Sequence, residues 1–146
     1  MIVEQITNIE HIKAVLCHPE IYDLINDDNS PDVENCNIPL TSDIEYIGGF
    51  VEGDIIGIMV YHTTNKGIEL HIQVLPEYRK EYAREFARMA LKFGEAKNAY
   101  IYSEIPICYP NVISFAKEFG FTETGSIEND YVKNGIKHDV IIMRMN

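Results

Sequence analysis

Positive charge is scarce in this 146-residue chain: 12 Lys and Arg stand against 23 Asp and Glu, a net charge of −11 with histidine neutral. A field of that sign repels phosphates, which argues against wholesale binding to nucleic acid or to an anionic membrane. Long apolar runs are missing as well. No segment approaches the length needed to cross a bilayer, and residues 1–20 lack a basic start followed by an apolar core. The expectation is a cytoplasmic protein. Cysteine is nearly absent: Cys17, Cys36 and Cys108 are an odd number at wide spacings, with no C-x-x-C. A zinc site needs about four ligands in close pairs. Three reduced thiols and no metal are therefore expected.

What remains is ordinary globular material, 46% apolar and 24% charged, long enough for one domain (residues 1–146) with a real core. Residues 2–6 read as an opening strand. Asn8 offers a capping side chain, and Ile9, Ile12, Val15 and Leu16 repeat at helical spacing. Pro19 ends that helix and starts a second. The polar, proline-punctuated stretch 26–43 reads as a loop or lid. The period then changes to two: Ile44–Glu52, Ile55–Thr63 and Ile68–Val74 form a meander, with turns at Gly53-Asp54 and at Asn65-Lys66-Gly67. Gly48-Gly49 inside the first of these strands predicts a bulge or a close backbone contact. Residues 79–97 carry the strongest helical stripe, with Tyr82, Phe86, Met89 and Phe93 among alanines. A strand at 99–104, a helix at 112–119, a strand at 121–127 and a strand at 140–145 complete the order β-α-α-β-β-β-α-β-α-β-β. Asn134-Gly135 is the hairpin turn before the last strand. A meander followed by a strand–helix–strand crossover predicts an α/β (α+β) fold, a mixed, mostly antiparallel sheet of about seven strands with helices on both faces.

The few cations are not spread evenly. Residues 79–97 hold six of the twelve, against three acids, so this segment carries +3 and the rest of the chain −14. Arg79 and Lys80 stand where a helix dipole already attracts anions. This pattern fits a phosphate site at the helix start, and it also fits the commoner case of a solvated helix face. On the third meander strand Ile68, Leu70, Ile72 and Val74 face one way, and Glu69, His71 and Gln73 the other. Glu69 and His71, two apart on one polar face, can hold a water or accept a proton near neutral pH.

The run Leu70-His71-Ile72-Gln73-Val74-Leu75-Pro76-Glu77-Tyr78-Arg79 resembles the fourth strand and phosphate loop of the GNAT acyl-CoA N-acetyltransferases, a strand ending in V-x-P-x-Y-R before a long helix. Asn111–Phe121 is similar to that superfamily's fourth helix, which ends in k-x-G-F before a strand. The element order agrees over essentially the whole chain. This resemblance implies a V-shaped gap between two splayed strands, acetyl-CoA as cosubstrate and an amine as acceptor. It places cosubstrate binding on Val74, Arg79, Lys80, Glu81, Tyr82, Ala83 and Arg84 and the base on Glu69 or His71; Tyr82 or Tyr109 can stand in as the phenolic acid. With the charge and cysteine readings above, the expectation is no metal, no nucleic acid and no membrane partner, and a homodimer is compatible. Two departures stand out. The family loop reads Q/R-x-x-G-x-G/A, and here Tyr82 and Arg84 occupy the two small-residue positions; the family's usual helix tyrosine falls on Ala116. That combination resembles small GNAT-like proteins of tailed bacteriophages, which work in the host cytoplasm or the virion. The implied function is an acetyl-CoA-dependent N-acetyltransferase. Its alternative is a catalytically inactive phage protein of virion assembly or DNA ejection, bound to other phage structural proteins.

Overall fold

The computed structural model describes residues 1–145 and contains one seven-stranded sheet. The elements are β1 (Ile2–Ile6), α1 (Ile9–Leu16), α2 (Pro19–Ile25), β2 (Ile44–Val51), β3 (Asp54–Thr64), β4 (Gly67–Val74), α3 (Arg79–Glu95), β5 (Ile101–Pro106), α4 (Pro110–Glu118), β6 (Phe121–Lys133) and β7 (Ile136–Met145). The spatial order is β1-β2-β3-β4-β5-β7-β6. Every neighbour pair is antiparallel except β4 and β5, which are parallel because α3 carries the chain back between them. The element order and the mixed sheet are those expected from the sequence.

Alternation along the strands builds two cores. On one face Ile47, Met59, Tyr61, Leu70, Val74, Ile105 and Met143 pack with Phe86 and Ala90 of α3, and Ile113 and Ala116 of α4 join them. On the other face Ile6, Tyr46, Ile58 and Leu75 pack with Ile12 and Val15 of α1 and Ile21 of α2. Gly49 explains how α3 sits so low on the sheet: a Cβ there would lie 2.6 Å from the Phe86 ring. The β2–β3 register shifts at the same point, between Gly49 and Phe50. Both readings of the Gly48-Gly49 pair therefore apply. The buried Tyr61 hydroxyl donates to the Ala90 carbonyl at 2.9 Å and locks α3 further along its length.

Several details differ from the sequence reading. The β2–β3 turn is Glu52-Gly53, one residue earlier than expected, with φ of 52° and 85°, a left-handed pair that a tight hairpin requires. Strands β6 and β7 extend to Lys133 and back from Ile136, well beyond their apolar cores. The polar residues Glu128-Asn129-Asp130 fall in a register shift, which hid the strand's continuation from its hydrophobic pattern. Asn134-Gly135 turns this hairpin with φ of 53° and 77°, as expected.

The cysteine expectation is corrected. Cys17 and Cys36 form a disulfide with Cα atoms 5.8 Å apart, and Cys108 alone is free. The fold returns the chain after α2 to the end of α1, so a wide spacing in sequence becomes a close approach in space. The stretch 26–43 is also tied down more firmly than a lid. It contains a 3-10 turn at Val33–Asn35, and Asp28 accepts the N–H groups of Asn134 and Gly135 at 2.9 and 2.8 Å. Those two donors hold the Asp28 carboxyl below the usual carboxylate range.

Candidate functional site

Strand β4 has two unlike edges. Against β3 it is registered over eight residues, from Gly67 to Val74. Against β5 only Ile68↔Ile101 and Glu69↔Tyr102 are registered. Beyond that point β4 runs on to Val74 and β5 to Pro106 with no residue of one paired to the other, while β5 stays fully paired to β7. The result is a gap that opens toward the start of α3.

The ladder's alternation determines what lines it. Ile68 N–H donates to the Tyr100 carbonyl at 2.8 Å, so the main-chain groups of Ile68, Leu70, Ile72 and Val74 all point toward β5. At Leu70 the strands begin to part, and the Ser103 hydroxyl reaches across to the Leu70 carbonyl at 2.7 Å. A side chain here replaces the main-chain donor that a continuing ladder would supply. At the far end the Val74 carbonyl is taken by Arg79 Nε at 2.9 Å. The N–H groups of Ile72 and Val74 face the gap between these two points. On the β5 side Ile107 N–H donates to the Asp139 carbonyl at 3.0 Å, which turns the main chain of Glu104 and Pro106 toward the gap. Pro106 brings no N–H, so the wall opposite Val74 cannot close the ladder.

Charged side chains line both faces flanking this gap. On the α3 side are Arg79, Lys80, Arg84 and Arg88, the last three exposed. Tyr82 and Arg84, the large residues at the small-residue positions of the GNAT loop, each meet a neighbouring side chain. Tyr82 leans on Tyr78, ring centroids 6.1 Å apart, and its hydroxyl pKa is raised chiefly by the Glu81 charge. Arg84 reaches to α4, where Nε and Nη2 meet the two carboxylate oxygens of Glu118 at 2.7 and 3.2 Å. Ala83 packs on the core and Glu81 is exposed.

On the opposite face β3, β4 and β5 present His62, Glu69, His71 and Glu104. His71 Nε2 lies 2.7 Å from Glu69 Oε1, and that hydrogen bond holds the Glu69 carboxyl below its ordinary value, against the opposing effect of burial. His62 pairs with Asp43 at 3.4 Å and Lys66 with Glu104 at 3.6 Å. The structure thus brings Glu69 and His71 together just where the strands part. Among the described residues no group of His, Cys, Asp and Glu has the arrangement of a metal site.

Tyr109 stands apart from this pair, at the start of α4. Its hydroxyl lies 2.9 Å from that of Tyr131, and Tyr131 in turn donates to the Asn26 carbonyl at 3.0 Å. The single hydrogen of Tyr131 is therefore spent on Asn26, and the hydrogen of Tyr109 goes to Tyr131. Burial, helped by Tyr109, pushes the Tyr131 hydroxyl pKa well up. This chain of bonds fastens α4 and the β6–β7 hairpin to the end of α2. Ser103, Pro106 and Glu118 were not marked by the sequence. Pro106 offered a signal in hindsight, a proline at the end of a central strand.

The fold has counterparts among solved structures. Spermidine N-acetyltransferase from Vibrio cholerae, solved in complex with CoA and spermine, matches with a TM-score of 0.77 at 17% identity, over 99% of this chain and 94% of that one. The ribosomal-protein-S18-alanine N-acetyltransferase from Escherichia coli matches with a TM-score of 0.74 at 15% identity, over 99% and 92%. A ribosomal-protein-alanine N-acetyltransferase from Brucella melitensis gives 0.75 at 15%, over 99% and 98%. The fold is the GNAT fold. By sequence, no family model and no curated protein matches the chain.

Proposed function

We propose that the chain is an acetyl-CoA-dependent N-acetyltransferase whose acceptor is a cationic amine. The observation that carries this reading is the gap itself. A sheet paired edge to edge elsewhere is parted at one place, with Arg79 and Lys80 at the mouth and the Glu69–His71 pair at the point of parting. The gap suits an extended thioester arm, because Ile72 and Val74 offer main-chain N–H groups and Pro106 withholds the competing one. Cations on one face suit the cosubstrate's phosphates, and acids on the other suit a protonated amine.

Acetyl-CoA supplies an acetyl group held as a thioester; transfer to a protonated amine removes one proton to free the nitrogen lone pair and a second after attack, forms a nitrogen–carbon bond, breaks the carbon–sulfur bond, returns one proton to sulfur and releases the other to solvent. In this chain Glu69 holds His71 by Nε2, which leaves Nδ1 to receive the amine proton, with the carboxylate stabilising the charge that results. Tyr109 is assigned the return of a proton to sulfur, and to do so it gives up its bond to Tyr131. The alternative, a silent GNAT-fold component of a phage particle, is supported by Ala116 at the usual tyrosine position.

The test is acetylation of spermine, read as released thiol. The wild type is expected to turn over, and His71→Ala to lower kcat by about 10²–10⁴-fold, the usual contribution of a general base, with little change in KM for acetyl-CoA. Absence of calorimetric heat with acetyl-CoA at millimolar concentration would remove the transferase reading and leave the alternative.

A further inference from the structure

On α3, Lys80, Arg84 and Arg88 follow one another at intervals of four residues, which stacks them in a row along one flank of the helix. All three are exposed. Among the described residues Lys80 and Arg88 have no acidic partner, and Arg84 has one, Glu118 of α4. That partner is held in a particular way: two guanidinium nitrogens of one fork meet two oxygens of one carboxylate, the geometry that an arginine also offers to a phosphate. Both side chains remain open to water, at 60% and 44% exposure, so exchange of one anion for another meets no steric barrier.

We propose that the Lys80–Arg84–Arg88 row is a binding subsite for a phosphomonoester dianion, and that Glu118 is its resident counter-ion, displaced when the ligand arrives. The proposal rests on the transferase reading above, in which the phosphomonoester is the 3′-phosphate of CoA. A dianion between three cations gains more than the single carboxylate does, which gives the exchange its direction. Glu118 then has a second effect. It competes with the ligand for Arg84, so it lowers the affinity for CoA and discriminates against cosubstrates that lack the phosphomonoester. The arginine at a small-residue position of the GNAT loop becomes a ligand contact approached from the side.

Calorimetric titration of the intact protein with CoA and with dephospho-CoA separates the possibilities. Removing an exposed ion-pair competitor is worth up to about fivefold, so Glu118→Gln is expected to bind CoA a few-fold more tightly and dephospho-CoA as the wild type does. Arg84→Ala is expected to weaken CoA binding about tenfold, the scale of one charge-assisted hydrogen bond, and to erase the effect of Glu118→Gln in the double variant. CoA affinity unmoved by Glu118→Gln overturns the subsite and leaves the transferase reading standing. Equal gains for CoA and dephospho-CoA also overturn it, because the row then serves the pyrophosphate. No binding of either compound to any variant overturns both readings together.

Discussion

The two edges of β4 are built from the same eight residues and behave differently. Toward β3 the strand is paired along its whole length, and toward β5 it lets go after Glu69. Poor strand propensity cannot be the cause, since the same residues make a complete ladder on the other side. The difference lies across the gap. Ser103 ends the pairing with its hydroxyl, Pro106 has no N–H to give, and Arg79 caps the last carbonyl from the helix that follows. An open edge inside a central sheet is thus made by three residues that satisfy or withdraw main-chain groups, and the strand itself stays regular.

This contrast can be broken from either edge, and the largest expected effect is on the closed one. Phe86 is fully buried and lies against Gly49 and Gly57 over the paired half of the sheet. Phe86→Ala is expected to cost about 3–5 kcal/mol in urea unfolding, the usual loss for a buried ring. Next comes the disulfide, which touches neither edge. Cys17→Ser opens a loop of 19 residues' separation and is expected to cost about 3 kcal/mol by chain entropy, with thiol titration of the unreduced wild type finding Cys108 alone. At the open edge, Ser103→Ala leaves the Leu70 carbonyl without its partner. About 1 kcal/mol is expected, the net worth of one hydrogen bond, together with faster amide exchange confined to the parting point. The smallest effect is a pH dependence. The Glu69 carboxyl titrates below its ordinary 4.5, so its contribution to stability is complete above that value and fades as pH falls through the folded value. Glu69→Gln is expected to flatten this acid limb, as followed by melting temperature across the acid range.

Much of this architecture was legible in the residues. Period-two alternation in Ile68–Val74 assigned Glu69 and His71 to one face and the core to the other, and the Ile-, Val- and Tyr-rich segments marked three consecutive antiparallel strands. The Leu70–Arg79 run placed the helix start at the mouth of the gap. Other features depend on encounters that no local pattern records. Cys17 meets Cys36 because α2 folds back, Arg84 meets Glu118 across 34 positions, and Tyr109 reaches Tyr131 through the far hairpin. The long β6 was concealed by Glu128-Asn129-Asp130, whose polarity marks a bulge in place of a strand end. Tyr82 and Arg84 show the limit of a motif read by position: the sequence marks them as large where small residues are usual, and only the fold shows Tyr82 beside Tyr78 and Arg84 paired with Glu118.

The central claim is that the parted edge of β4 receives the thioester arm of acetyl-CoA. Amide hydrogen exchange with and without CoA tests it most directly. Slowed exchange is expected at Ile72 and Val74 and over the first turn of α3, with the β3-facing amides of Glu69, His71 and Gln73 unchanged. Exchange at Ile72 and Val74 that does not respond to saturating CoA would contradict it.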